Sequence, residues 1–206
     1  MILAIETATE VCSTALIHEG KLLSQRSVNE KNIHSEQLMM LIDEMIRESN
    51  ISKKNLDAVA VSIGPGSFTG LRIGLSSAKG IACALGTPII AVPTLDGIAE
   101  EYRLKRTSTG DEIFCSFIDA KRNESFYCYY AVTQHDTVRL SEYAIKAKEE
   151  ILRECEVKKA IVLRQPCNAS AVAHLAERKK NELIVDDFSQ LEPLYLRDFV
   201  VTPSKK

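Results

Sequence analysis

The chain is short of the groups that most site chemistries need. Its four histidines (His18, His34, His135 and His174) include no pair four residues apart on one helix face. A metallopeptidase needs about three protein ligands around its metal-bound water, and that arrangement has no visible source here. The six cysteines (Cys12, Cys83, Cys115, Cys128, Cys155 and Cys167) contain no C-x-x-C pair, and several sit in apolar runs, where a thiol behaves as a small hydrophobe. An excess of either charge is also missing. With 26 Lys and Arg against 28 Asp and Glu, the net charge of −2 gives no general attraction to nucleic acid. Short basic clusters at 103–106, 121–122, 178–180 and 205–206 have no aromatic-rich motif beside them and read as solvated faces. The longest apolar run, 80–93, is broken by Gly86 and Pro88 and is too short for a bilayer. With no signal peptide ahead of the apolar residues that begin at Ile2, the expected setting is reducing cytoplasm without membrane contact. Neither a cofactor nor a metal is expected.

What the sequence does contain is a 206-residue chain with 45% hydrophobic residues, enough for a sizeable core in one large domain or two small ones. Its organising stretch is Ser62-Ile63-Gly64-Pro65-Gly66-Ser67-Phe68-Thr69-Gly70-Leu71-Arg72-Ile73-Gly74. An apolar strand over 58–63 is ended by Gly-Pro-Gly, because Pro cannot continue a ladder and Gly accepts positive φ. Ser67 or Thr69 can cap the helix expected over 69–85. That helix is apolar or small almost all round, with Arg72 and Lys79 in one narrow polar sector, so it asks for burial on more than one side. Two readings compete. A glycine loop opening a helix can cradle phosphate, but no Gly-Lys-Ser/Thr triplet follows and the glycine spacing misses G-x-G-x-x-G by one residue. A tight turn feeding a packing helix is the preferred reading, with Gly70, Gly74, Ser77 and Ala78 forming a closely approachable side and Ala82 beside it.

Upstream, a strand over 2–5 leads into Glu6-Thr7-Ala8-Thr9-Glu10, then a hairpin over 11–28 turns at Glu19-Gly20. Glu6, Thr7 and Thr9 are the candidates for a place near nucleotide phosphate; Glu6 reads as a loop organiser rather than a catalyst. A helix over 34–49, with Asn32 as cap, carries Leu38, Leu41, Ile42 and Met45 at helical spacing. Met39 and Ile46 widen its apolar arc beyond what one sheet covers, and Met40 lies outside the arc. A buried strand over 89–92 and a helix over 94–102 follow. The polar stretch 105–111 divides the chain into an amino-terminal lobe, 1–104, and a carboxy-terminal lobe, 105–206. The second half reads as a hairpin turning at 119–124, a helix over 143–154, a strand over 160–163, a helix over 169–179 and a short strand over 183–185. The apolar tail 191–197 reads as a docking segment.

Together, Ile2-Leu3-Ala4-Ile5-Glu6-Thr7-Ala8-Thr9, Asn32-Ile33-His34-Ser35-Glu36, the run 62–80, Ile118-Asp119-Ala120-Lys121-Arg122 and Pro193-Leu194-Tyr195-Leu196-Arg197 resemble the TsaB (YeaZ) family of bacterial tRNA-modification proteins over essentially the whole chain. The resemblance implies a two-lobed α/β fold of the actin and sugar-kinase (ribonuclease H-like) type, each lobe a mixed sheet with helices. It also implies a non-catalytic scaffold for a TsaD-type catalytic subunit, which transfers threonylcarbamoyl from its adenylate to the adenosine beside the tRNA anticodon. A TsaE-type ATPase joins the complex, tRNA is met only through it, and the lone chain pairs with itself. In the family the first two helices of the first lobe make a four-helix contact with the partner. On this chain that contact corresponds to His34, Leu38, Met39, Ile42, Met45, Ile46, Gly70, Leu71, Gly74, Ser77, Ala78 and Ile81. A Gly74→Leu substitution is then expected to abolish pairing while leaving the monomer folded.

The chain departs from its catalytic and kinase relatives where their chemistry lies. Asp-x-Gly-Thr is Glu6-Thr7-Ala8-Thr9 here, the second phosphate loop is Asp119-Ala120-Lys121-Arg122, and Arg164-Gln165-Pro166 stands where glycines are common. A small-molecule kinase with Asp119 as base, and a metallopeptidase, are the alternatives to the scaffold.

Overall fold

The computed structural model describes residues 1–29, 34–133 and 136–196. Strand β1 (Ile2–Glu6) runs into the hairpin of β2 (Cys12–His18) and β3 (Lys21–Val28). Helix α1 (His34–Glu48) and a 3-10 turn (Lys53–Asn55) lead to β4 (Ala58–Gly64), α2 (Phe68–Leu85), β5 (Ile89–Pro93) and α3 (Thr94–Lys105). The chain continues through β6 (Glu112–Asp119), β7 (Glu124–Val132), β8 (Thr137–Arg139), β9 (Ala144–Ala147), α4 (Lys148–Lys158) and β10 (Ile161–Leu163). It closes with α5 (Ala169–Arg178), α6 (Lys180–Leu183) and β11 (Ile184–Val185).

Two mixed sheets result. The first has the order β11-β5-β4-β1-β2-β3, with β1, β4 and β5 parallel and the other pairings antiparallel. The second has the order β10-β6-β7-β8, with β9 also pairing β7. Because successive side chains of a strand point to opposite faces, the central strands β1, β2, β4 and β5 of the first sheet feed two cores. Leu3, Ile5, Leu16, Val59 and Val61 meet α1 and α2 on one face. Ile2, Ala4, Ala15, Ala58 and Ala60 meet α3 and α5 on the other. The alanines on that second face leave room for α5, whose own inward residues are Ala169, Val172, Ala173 and Ala176. Phe114, Cys128, Tyr130 and Val132 of the second sheet close the same core from its far side. Cys115, Phe117, Tyr127 and Tyr129 hold α4 on the outer face. The two-sheet α/β architecture expected from the resemblance is present, with α3 and α5 forming the layer between the sheets.

The polar stretch 105–111 is the connection from α3 to β6, whereas 169–185 returns to the first sheet, where β11 pairs Ile184 with Ile90. One expected element is different. The helix read over 143–154 begins only at Lys148, because Ala144–Ala147 forms β9 against Glu124 to Tyr127 of β7. The free edge of β7 offers ladder hydrogen bonds that outweigh a helical pattern of side chains, a tertiary override of local preference.

The middle layer is fastened by one buried carboxylate. Glu100 of α3 receives Arg103 Nε at 2.9 Å and Arg103 Nη2 and Arg178 Nη2 each at 2.7 Å, the last from α5. Burial raises its pKa, but the hydrogen bonds and charges of the two arginines together win and hold the carboxyl below its ordinary 4.5. Removing one member of a buried ion pair leaves uncompensated charge and costs roughly 3 kcal/mol. Glu100→Gln is therefore expected to lose about 3 kcal/mol in urea unfolding at pH 7. Since the folded value is depressed, the deficit should shrink as pH falls through that value and the wild-type carboxylate is itself protonated.

Candidate functional site

Strand alternation places Glu6 at the end of β1 on the same face as Ala4, and Ser62 of β4 on the face of Ala60, so the two side chains are neighbours across the parallel ladder. Glu6 is fully buried. Its Oε1 accepts from the amides of Ala8 at 2.7 Å and Thr9 at 3.1 Å, and its Oε2 is hydrogen-bonded by the Ser62 hydroxyl. Burial pushes the carboxyl up to about 7, against the lowering effect of those hydrogen bonds. Thr9 Oγ1 bridges Glu6 Oε1 and the Cys167 carbonyl, each at 3.5 Å. Both carboxyl oxygens are thus engaged inside the chain, which makes Glu6 a brace for the loop after β1.

That loop presses on the start of α2. The Ser67 amide donates to Ala8 O at 2.7 Å, and Thr7 Oγ1 donates to Gly70 O at 2.8 Å. Ser67, not Thr69, is the cap, its Oγ accepting from the Gly70 amide at 3.2 Å. A Cβ on Gly66 would stand 2.3 Å from Ala8 O, one on Gly70 2.0 Å from Thr7 O, and one on Gly74 2.2 Å from Thr7 Oγ1. The glycines therefore serve close approaches within the chain, Gly66 and Gly70 to the backbone of Ala8 and Thr7 and Gly74 to the Thr7 side chain. This corrects the expectation for Gly74→Leu: the position is internal, and a side chain there disrupts the fold itself.

The two front helices have an inner and an outer face. Leu38, Ile42, Met45 and Ile46 of α1 and Leu71 and Ala78 of α2 are buried in the chain's own core, as are Gly70 and Gly74. Met39 and Met40 are about half exposed, at 50% and 54%. Ser77 and Ile81 are half-buried, and Ser76, Gly80, Cys83 and Ala84 are exposed. The side chain of His34 and the expected cap Asn32 lie outside the described residues. Between the helices runs an apolar groove of about 140 Å³ lined by Leu3, Met39, Ile42, Ile46, Lys53, Leu56, Ile81, Ala84 and Leu85. Gly80 and Ala84 were not among the sequence candidates. Their signal was available: four apart on α2, they face away from the positions that meet the sheet.

Arg72 and Lys79 also find partners. Arg72 Nε donates to Tyr195 OH at 3.2 Å and its guanidinium lies 4.1 Å from the Phe68 ring centre, while Phe68 and Tyr195 stack at 5.2 Å. Lys79 Nζ donates to Ser189 O at 3.1 Å, and the Leu194 amide donates to Ile63 O at 2.6 Å. The polar sector of α2 is the seat of the carboxy-terminal strap; Arg197, at the end of the expected docking segment, lies outside the described residues. In the second half, Asp119 accepts the Lys121 amide at 2.9 Å and closes its own turn. Among the described residues no three His, Cys, Asp or Glu side chains are grouped to hold a metal ion, and no helix is long and apolar enough to cross a membrane.

Comparison with known proteins bears on both features. Residues 21–189 match the family described as tRNA N6-adenosine threonylcarbamoyltransferase, TsaD. The tRNA threonylcarbamoyladenosine biosynthesis protein TsaB of Haemophilus influenzae is 32% identical over 176 residues, covering 83% of this chain and 70% of that protein. TsaB of Escherichia coli K12 is 32% identical over 153 residues, covering 74% of this chain and 64% of that protein. The chain thus spans roughly two thirds of the length of these relatives. The structure of YeaZ from Pseudomonas aeruginosa superposes with a TM-score of 0.81 at 25% identity, covering 95% of this chain and 99% of that one.

The two kinds of glycine on α2 are separable by experiment. Gly70→Ala forces a Cβ into the Thr7 backbone, and overpacking of this kind costs about 2 kcal/mol. Gly80→Ala meets nothing within 4 Å and should gain up to about 1 kcal/mol from helix propensity. Urea midpoints of the two variants should move in opposite directions.

Proposed function

Since the chain belongs to the TsaB family, as its 32% identity over most of its length to TsaB of Haemophilus influenzae shows, we propose that it is a non-catalytic scaffold subunit in tRNA threonylcarbamoyladenosine formation. It pairs with a TsaD-type transferase that modifies the adenosine next to the anticodon. The observation that carries this reading is the outward surface of α1 and α2: an apolar groove flanked by half-exposed Met39 and Met40, with Gly80 and Ala84 alongside. Methionine suits an adaptable contact and small residues admit a second helix closely. The expected interface is narrower than a whole-helix listing. Met39, Ser77 and Ile81 meet the partner directly, while Leu38, Ile42, Met45, Ile46, Leu71 and Ala78 support the helices from inside. In the absence of the transferase the same face pairs two copies of the chain. A TsaE-type ATPase acts on the assembled complex, tRNA is reached through it, and the setting is cytoplasmic.

Against a phosphotransferase reading stands the engagement of both Glu6 oxygens and of the Ser67 amide within the chain, which leaves the loop after β1 without the open cradle a triphosphate needs.

Mixed with a TsaD-type protein, the chain should co-elute near 1:1 in size exclusion with light scattering, and alone it should show no ATPase or transferase activity. Gly80→Arg places a long charged side chain on the exposed stripe. It should abolish co-elution while the melting temperature of the lone chain stays within a few degrees of wild type. Undiminished pairing by Gly80→Arg would remove this face from the contact.

A further inference from the structure

The Glu6 carboxyl lies where four stretches of chain meet, and the pairing role makes no direct use of it. Ser62 approaches from β4 and the Ala8 and Thr9 amides from the loop after β1. The Cys167 carbonyl, in the segment before α5, meets Thr9 Oγ1 at 3.5 Å. Cys167 is itself wedged against α3, where a Cβ on Gly97 would stand 2.6 Å from its Sγ. From this junction the contacts run outward in one line. Glu6 fixes Ala8 and Thr9, Ala8 O takes the Ser67 amide, and Thr7 is set against Gly70 and Gly74. We infer that Glu6 is a proton-sensitive positioning residue: neutral, it closes the loop onto the first turns of α2, and ionised, it favours opening of that clasp. The seating of α2, and with it the face offered to a partner, then follows pH. That last consequence rests on the proposed pairing; the clasp itself does not.

The surroundings leave Glu6 as the one group here that changes charge near neutrality. Burial pushes the Cys12 thiol of β2 up to about 11, with the Glu6 charge adding to the effect. Burial likewise raises Cys167, helped by Glu6 and by Glu101 of α3. Both therefore remain neutral thiols, while Ser62 and Thr9 do not titrate in this range. The largest influences on the Glu6 carboxyl are its burial and its hydrogen-bond partners, none of them a cation.

With burial as its largest cause, the folded-state value stands at about 7 against an ordinary 4.5. Below 4.5 both the closed and the opened loop hold the proton. Between the two values only the closed form holds it, so opening releases a proton and becomes easier as pH rises; above about 7 the effect levels off.

The test is amide hydrogen exchange of the full chain by NMR from pH 5 to 8, corrected for intrinsic exchange, without any partner. Protection of Ala8, Thr9, Ser67 and Gly70 should fall roughly 40-fold between pH 5 and 7 and then flatten, as linkage with these two values requires. Protection of Ile151 in α4 should not follow that curve. Glu6→Gln, which keeps the shape but cannot ionise, should abolish the pH dependence. A flat wild-type profile, or a slope that persists in Glu6→Gln, overturns the inference. Should Glu6→Gln fail to fold, Ser62→Ala serves instead. It removes a hydrogen bond that lowers the Glu6 value, so the window must move to higher pH, and an unmoved window is a negative result. The profile with no binding of a TsaD-type protein would sink the pairing and leave the clasp standing.

Discussion

The architecture of the front half depends on the contact between one short loop and the start of one helix. Thr7 and Ala8 lie so close to α2 that Gly66, Gly70 and Gly74 could not carry even a methyl group without displacing Thr7 or Ala8. This approach buries Thr7, orients α2 across the sheet and leaves its opposite side free. The carboxyl that braces the loop is buried in turn, so loop, helix and the layer holding Cys167 are one mechanical unit. Close-packed interiors transmit small shifts of this kind instead of absorbing them.

Around that contact the chain sorts its helices by what they must touch. α3 and α5 lie between two sheets, fastened by Glu100 and two arginines. α4 covers the outer face of the second sheet with few apolar residues, Ile151 and Cys155 being its buried ones. α1 and α2 have one face in the core and another turned outward, and α2 is further held along its flank by the strap from 189 to 195. The strap accounts for Arg72 and Lys79, the two charges on a helix otherwise apolar or small.

Much of this was legible in the sequence because the physics is local. The alternation in Ile2-Leu3-Ala4-Ile5, the turn at Glu19-Gly20, the Ser67 cap and the helical spacing of Leu38, Leu41, Ile42 and Met45 each express a short-range rule. The resemblance supplied the two-sheet architecture on motifs spread over the chain. What failed depended on distant partners. Gly70 and Gly74 were assigned to an outward face because a helical wheel identifies small residues without showing what they approach. Their neighbour is Thr7, some sixty positions earlier in sequence. Ala144–Ala147 became a strand because β7 had an open edge, which no window around residue 145 reveals. For the candidate site, Met39 and Met40 were legible as residues beyond the sheet-facing arc, whereas the four-residue spacing of Gly80 and Ala84 on α2 acquires its meaning once the inner side of that helix is known.

The central claim is that the outward side of α1 and α2 meets a TsaD-type subunit while their inward side stays in the chain's own core. Methyl NMR of methionine-labelled protein reads this directly, since the chain has four methionines, of which Met39 and Met40 are half exposed and Met45 is fully buried. On addition of a TsaD-type partner the Met39 and Met40 methyl signals should shift or broaden strongly while Met45 stays near its free position. A complex that forms with Met39 and Met40 unmoved would contradict the account.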